Sequence, residues 1–416
     1  MKLFYKELSL NVHNLFLNKN IDCLHESKLT ELDKDYYYYI DYYSGKKSNG
    51  WDYPLEKFCL QYFKESKLHA DITSTLRFNL NRDMLIDEAK IDLAIPDLVY
   101  QALRNGHARI IIDTSKEGHI DLGMYYIHQI FNVSQEQIIW IAGDRLTGSR
   151  IKDYHSKHNL SVFNFWEGFV AQYSLSDLNK ETIVNTITNK TIKKYYNTYY
   201  NKKSRPHRLG LMIELHHRNM LDDMIWSWAG YKMEGQFQPD PNYIMKFGDD
   251  YKDSIDTILS WDRLKNYKQQ YVSDDMIYPE FTLDDVSDTY YNLVTETSDF
   301  NNSMFLTEKT YKAMLLFQPF LIWGSPHSIQ TLKTAGYKTF DKWINHSYDL
   351  IEDHDGRRLA IVDEVKRLNS ISKEDWADMC FEMLPELNYN YDHLMNHYDR
   401  YTIDENFQIT YYQTQG

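Results

Sequence analysis

The sequence predicts an α/β protein made of two successive halves, each a mostly parallel sheet flanked by helices. Three observations predict it. Short β-branched runs, ARIIIDT at 108–114 and QIIWIAGD at 137–144, end in Thr or Gly-Asp and have the length of buried strands. Helical patterns separate the runs, as parallel neighbours require. The alternation stops over the polar stretch 171–192 and then begins again. A chain of 416 residues suits two or three domains.

Taken in order, residues 1–90 are mixed. DYYYYIDYY (35–43) has no clear period and reads as a strand or a surface aromatic cluster. IDLAIPDLVYQALRNG (91–106) reads as a helix closed by Gly106, and ARIIIDTSKEG as a buried strand with its loop. GMYYIHQIFNV (123–133) is helical, QIIWIAGD a second strand, and SVFNFWEGFV (161–170) a third. Beyond 192, KKYYNTYYN is strand-like, RPHRLGLMIELHHRN a loop entering a helix, and DMIWSWAG a strand. After a polar insertion come the strand TYYNLVTET (289–297), the helix LTEKTYKAMLLFQ and the strand QPFLIWG. SPHSIQTLKTAG then reads as a helix with Ser325 as N-cap, Pro326 at the first position and Gly336 at the stop. In GRRLAIVDEVKRL (356–368), Leu359, Val362, Val365 and Leu368 share one helical face. Residues 374–400, with Trp376, Met379, Met383 and Leu384, are expected to be helical. The expected division is 1–190, 191–375 and a tail, 376–416, that returns toward the first domain. Two Rossmann-like domains would then face a cleft.

Composition narrows the classes. The net charge is −14, which argues against broad nucleic-acid binding while permitting a local basic groove. Three cysteines, widely spaced, make neither a disulfide framework nor a zinc site. No run of eighteen apolar residues and no signal-peptide core is present, so a soluble, cytoplasmic protein with no membrane contact is expected. The abundance of Tyr, Asn, Lys and Ile suggests an AT-rich genome such as a phage's.

In open α/β sheets, ligands bind beyond the carboxyl ends of the strands, and four loops qualify. KKSRPHR (202–208) ends a stretch, Lys193 to Arg208, that holds six Lys/Arg and no Asp/Glu. Arg205 and Arg208 there suit a phosphate at a helix start, or form a solvated basic turn. In LTEKT (306–310), Thr307 can cap a helix, Glu308 can accept ribose hydroxyls and Lys309 can reach a phosphate. The bland reading is a capped helix with a surface charge pair. In DTSKEGH (113–119), Asp113, Glu117 or His119 could deprotonate an acceptor hydroxyl, or serve only as turn chemistry. In WIAGD (140–144), Gly143 allows close backbone approach and Asp144 follows it. Asp353-His354-Asp355 has the spacing of a metal–diphosphate pair but reads as helix capping, and His216-His217 as a surface pair. Signatures of P-loop NTPases, zincins, serine hydrolases and zinc deaminases are absent.

The block 293–341 resembles the donor-binding half of GT-B nucleotide-sugar glycosyltransferases, in particular a phage and virus group related to α1,3-fucosyltransferase and exostosin-like C-terminal domains. The matching residues are Thr307-Glu308-Lys309, Pro319-Phe320, Gly324-Ser325, Leu332, Gly336-Tyr337 and Thr339-Phe340. RPHR (205–208) and IIIDTSKEGH are similar to two other elements of that group. The resemblance implies a GT-B-like fold and a nucleoside-diphosphate sugar as co-substrate. It implies that Glu308 binds the donor ribose, that Lys309, Arg205 and Arg208 bind its diphosphate, and that a first-domain carboxylate is the base. Basic groups can neutralise a diphosphate leaving group without a metal, so no metal and no cofactor are expected. Phage origin makes a hydroxymethylated pyrimidine in DNA the expected acceptor, with a glycan or protein hydroxyl as the alternative. The rival classes are a non-catalytic nucleotide or nucleic-acid binder on the same scaffold and a phosphate-transferring enzyme.

Overall fold

The computed structural model describes residues 2–5, 14–16, 19, 21–28, 36–41, 96–116, 133–150, 159–177, 180–188, 193–198, 205–228, 230, 240–261, 264–265, 288–404 and 407–411. The chain divides into two α/β units, Met1–Gly168 with Tyr398–Tyr412, and Phe169–His397 with Gln413–Gly416.

In the first unit, β1 (Lys2–Tyr5), β2 (Asp22–His25), β3 (Tyr36–Asp41), β4 (Ala108–Thr114), β5 (Ile138–Ala142) and β6 (Asn159–Val162) form one sheet. Their order is β2-β1-β3-β4-β5-β6 and every pairing is parallel. Strands covered on both faces must be apolar throughout, and Ile110–Ile112 and Ile138–Ile141 are buried completely or nearly so. The tyrosine run is an interior strand: Tyr37, Tyr38, Tyr39 and Ile40 are buried. Buried phenols need partners, and Tyr38 donates to Glu26 Oε2 while Tyr39 donates to Asp113 Oδ2, both at 2.6 Å. Helix α1 (Asp97–Arg104) precedes β4 and ends before Gly106, whose φ is +73°.

Two details differ from the sequence reading. The third expected strand lies earlier, at Asn159–Val162, and most of FNFWEGFV belongs to helix α2 (Phe165–Asp177). A short apolar run does not distinguish strand from buried helix, and here Phe163, Phe165 and Val170 are buried around the strand-to-helix turn. The mixed N-terminal stretch also contributes β1 and β2, which show no sharp alternation. The helix expected at 123–133 lies almost wholly outside the described residues.

The C-terminal residues of this unit form an antiparallel pair, β12 (Tyr401–Ile403) with β13 (Ile409–Tyr411). It is tied to β6: Ile409 N donates to Ser161 Oγ at 2.8 Å, and Gln408 Nε2 to Leu160 O at 3.0 Å. Beside it, Arg400 Nη2 pairs with Glu167 Oε1 at 2.5 Å, both side chains being buried.

The second unit starts within α2, at Phe169, and continues with helix α3 (Lys180–Ile187) in the polar stretch where a domain boundary was expected. Its sheet comprises β7 (Lys194–Thr198), β8 (Met224–Trp228), β9 (Leu264–Lys265), β10 (Thr289–Thr295) and β11 (Phe320–Trp323) in the order β11-β10-β7-β8-β9. All pairings are parallel except β8 with β9. The helices include α4 (Pro206–His217), α5 (Lys252–Ser260), α6 (Glu308–Leu315), α7 (Ser328–Thr334), α8 (His354–Asn369), α9 (Lys373–Glu382) and α10 (Leu384–Met395). Tyr196 of β7 stacks on Tyr291 of β10 at 5.2 Å, and Trp376 of α9 stacks on Tyr291 at the same distance. Among the described residues, these tyrosines are core packing. No helix among the described residues is long and apolar enough to cross a membrane.

Two helix readings change. Helix α7 is capped at His327, with φ +63°, rather than at Ser325. Its first amides are satisfied from a distance: Asp349 accepts Ile329 N and Gln330 N, both at 3.0 Å. In α8, Leu359 is 38% exposed. The buried stripe runs instead through Ile361, Val362, Val365 and Leu368, because Arg357 and Arg358 occupy the inward positions one turn earlier.

The Arg400–Glu167 pair gives a direct stability test. Removing one member of a buried pair strands the other charge, at a cost of about 3–5 kcal/mol. Arg400→Ala should lower the stability of the first unit by that amount in urea titration. A loss below about 1 kcal/mol, the scale of an exposed pair, would show that the pair is solvated.

Candidate anion site at the carboxyl ends of β7 and β10

The topology of the second sheet selects one place. From β7 the chain passes through α4 to β8 on one side; from β10 it passes through α6 to β11 on the other. The two connections leave in opposite directions, which puts the switch point of the sheet at the carboxyl ends of β7 and β10, where ligands of doubly wound sheets bind.

Helix α4 supplies one wall. Pro206 holds its first position and needs no amide partner there, while Arg205 is the extended N-cap. Arg205 Nη1 donates to Thr297 O at 3.0 Å. One turn on, Arg208 is 3% exposed, and its Nη2 donates to Thr295 O at 3.1 Å and Glu296 O at 3.0 Å. Burial, reinforced by neighbouring Arg205, pushes its guanidinium down to about 9, so it is still cationic at neutral pH.

Helix α6 supplies the other wall. Thr307 is its N-cap by position, but the hydroxyl makes no capping bond and donates to Glu296 Oε2 at 2.6 Å. Glu296 Oε1 accepts Thr307 N at 3.0 Å and Thr310 Oγ1 at 2.6 Å. Lys309 is buried rather than a surface charge. Its ammonium donates to Glu308 Oε1 and Thr307 Oγ1, each at 3.0 Å, and to Thr297 Oγ1 at 3.3 Å. Arg205 and Lys309 therefore reach the same residue, Thr297, from two different helices. Burial would raise the Glu308 carboxyl, but Lys309 and Lys312 override it and hold it near 2.

Between the walls, the loop after β10 carries a residue that the sequence reading passed over. Asp299 Oδ2 lies 2.9 Å from His354 Nε2, and its Oδ1 lies 3.3 Å from His207 Nδ1. Arg357 Nη2 donates to Asp299 O at 3.1 Å. Burial works against the Asp299 charge, yet His207, His354 and Arg357 hold its carboxyl below the usual carboxylate range. Asp353 caps α8 as expected, accepting Gly356 N at 2.6 Å. His354, read only as part of that lead-in, turns out to be a partner of Asp299. The available signal was an acid, Glu296, directly after an apolar strand, followed by Asp299. Gly324 has its own reason to be glycine, since a Cβ there would lie 2.9 Å from the Glu296 Cβ.

The remaining candidates lie in the first unit. Asp113 is the penultimate residue of β4, 2% exposed, and both its oxygens are engaged, by Tyr39 Oη at 2.6 Å and Ser115 N at 2.9 Å. Asp144 is buried beyond β5 and accepts Leu146 N at 2.8 Å. Glu117 and His119 lie outside the described residues, as do Lys202 and Lys203. Lys193 is buried, and Lys194 donates to Asp222 O. His216 contacts Ser254 Oγ at 2.9 Å and His217 stacks on Tyr251. Among the described residues no group of three His, Cys, Asp or Glu could hold a metal ion. A cavity of about 500 Å³ lies elsewhere, lined in part by Lys333, Asp341 and Arg367. These cations are paired with Asp341 and Glu364, and none of the switch-point residues lines it.

The depressed Glu308 carboxyl makes a pH prediction. A folded value below the unfolded one stabilises the native state above the unfolded value, about 4.5, and that stabilisation is lost as pH falls toward 2. Wild type should exceed Glu308→Gln in stability at pH 7 by at most about 3 kcal/mol. The difference should shrink between pH 5 and about 2. A difference independent of pH over that range would remove the ion-pair explanation.

No protein-family profile matches the chain, and no curated protein matches it. Among solved structures, the chain is similar to a putative UDP-N-acetylglucosamine 2-epimerase from Listeria monocytogenes, with TM-score 0.33 and 8% identity over 98% of each chain. It is also similar to apo UGT2 of Phytolacca americana, with TM-score 0.30 and 9% identity over 97% of this chain and 96% of that one.

Proposed function

We propose that the protein is a glycosyltransferase that moves a sugar from a nucleoside-diphosphate sugar to an acceptor hydroxyl. The observation that carries the reading is the meeting of Arg205 and Lys309 at Thr297, at the switch point of the sheet. The sugar half of the reading comes from the resemblance of 293–341; the diphosphate half comes from the cations. In this reading Arg205 and Lys309 take the diphosphate, Arg208 adds positive potential from beneath, and Glu308 accepts ribose hydroxyls. Thr307 holds Lys309 in place. The Lys309–Thr297 contact, the longest of the three at 3.3 Å, is the one a phosphate oxygen replaces.

The acceptor oxygen attacks the anomeric carbon as the bond from that carbon to the diphosphate oxygen breaks. Negative charge develops on the leaving diphosphate, where preorganised cations lower the barrier. The proposed proton acceptor is a carboxylate, Asp113 or Glu117, with His119 and Asp144 proposed on the acceptor side. Both Asp113 oxygens already hold donors. The acceptor is proposed to be a hydroxymethylated pyrimidine in DNA, the host cytoplasm being the setting.

Thermal-shift screening with UDP, GDP, CMP and dTDP sugars tests the donor. A ligand at 100 times its Kd should add about 2.7 kcal/mol. Glu308→Ala should weaken donor binding, and Lys309→Ala or Arg205→Ala should cut transfer by roughly 10²-fold. Unchanged turnover in all three would remove the donor site, and binding without turnover would leave a nucleotide-binding protein. EDTA should leave transfer intact; its loss, with rescue by Mg²⁺ or Mn²⁺, would refute metal independence. Binding to hydroxymethylated DNA should fall steeply with salt, and transfer to oligosaccharide alone would replace DNA with a glycan acceptor.

A further inference from the structure

The geometry points to Glu296 as the positioning residue of this site: acting through the Thr307 hydroxyl, its carboxylate sets the direction in which Lys309 presents its ammonium. The purpose of that arrangement rests on the donor reading above; the arrangement itself does not. Glu296 is 1% exposed, so it acts through its neighbours and not on a ligand.

Its carboxylate meets four donors. They are Thr307 N, Thr307 Oγ1, Thr310 Oγ1 and Thr297 N, at 3.0, 2.6, 2.6 and 3.1 Å. An ionised carboxylate only accepts, which matches this set. A hydroxyl has one proton to give, and Thr307 gives it to Glu296. Its lone pairs must then face its other neighbour, the Lys309 ammonium 3.0 Å away. Glu296 thus turns an ambivalent hydroxyl into a fixed acceptor for the lysine. It does something similar at Thr297, holding the amide of the residue whose hydroxyl receives Lys309. The Glu296 carbonyl meanwhile accepts from Arg208 Nη2 at 3.0 Å and lies 2.9 Å from His207 Nε2, which pins the start of α4. One buried residue therefore orients cations from both helices.

Thr310 provides the internal control. It gives Glu296 a hydrogen bond as short as Thr307 does, but among the described residues the Lys309 ammonium bonds Thr297, Thr307 and Glu308 and not the Thr310 hydroxyl. In the full-length protein, acetylation of Lys309 by N-hydroxysuccinimide acetate would be followed by mass spectrometry. Thr307→Val and Glu296→Gln are compared with Thr307→Ser and Thr310→Val. Losing an acceptor that favours the ammonium should speed acetylation, by roughly tenfold for a hydrogen bond to a charged group. Thr307→Val and Glu296→Gln should show that increase, while Thr307→Ser and Thr310→Val should stay near wild type. If Glu296→Gln fails to fold, Thr307→Val against Thr310→Val still decides. Equal acetylation in those two variants, or no change in Thr307→Val, would overturn the proposal. The expected acetylation pattern in a protein that binds no nucleoside diphosphate would uphold the positioning of Lys309 and overturn only the donor reading.

Discussion

The second unit depends on how five residues at the end of one strand, Thr295 to Asp299, satisfy their polar groups. Past the last ladder bond of β10, carbonyls and carboxylates have no partner within the sheet, and buried polar groups left unpaired are costly. The chain meets this demand with side chains and backbone amides from three helices. Arg205 and Arg208 of α4 take carbonyls, α6 surrounds the Glu296 carboxylate, and Arg357 and His354 of α8 take Asp299. Burying this many charges is tolerable only because each is compensated within hydrogen-bond distance. The same packing concentrates cations at the topological switch point of the sheet.

This arrangement has a cost that bears on function. The Lys309 ammonium has three donors and three protein acceptors. Arg208 spends one nitrogen on two carbonyls. These cations are held in place before any ligand arrives, which is what electrostatic preorganisation requires. In the proposed reading, a bound diphosphate would exchange a weak contact for a stronger one and would not need to order a floppy side chain.

The parallel sheets were legible because buried strands such as IIIDT and IIWIA carry their pattern in a few consecutive residues. The N-terminal strands were not, since β1 and β2 are four residues each and share no sharp alternation. The tyrosine strand showed its type but not its depth; burial of Tyr38 and Tyr39 depends on Glu26 and Asp113, distant in sequence. At the site, Arg205, Thr307, Glu308 and Lys309 could be read from local helix-start chemistry. Glu296, Asp299 and His354 could not be assigned that way, because their roles are tertiary. The same limit explains α7: its cap comes from Asp349, about twenty residues on, so no local rule could find it.

In the proposed reading, Arg205 and Lys309, from two helices, act on one anion. The direct measurement is a double-mutant cycle, with calorimetric affinities for the preferred nucleoside diphosphate in wild type, Arg205→Ala, Lys309→Ala and the double variant. Side chains that share one ligand and one contact residue should be coupled by about 0.5–3 kcal/mol, so the losses should not add. Strict additivity, or a single substitution without effect on binding, would contradict the account.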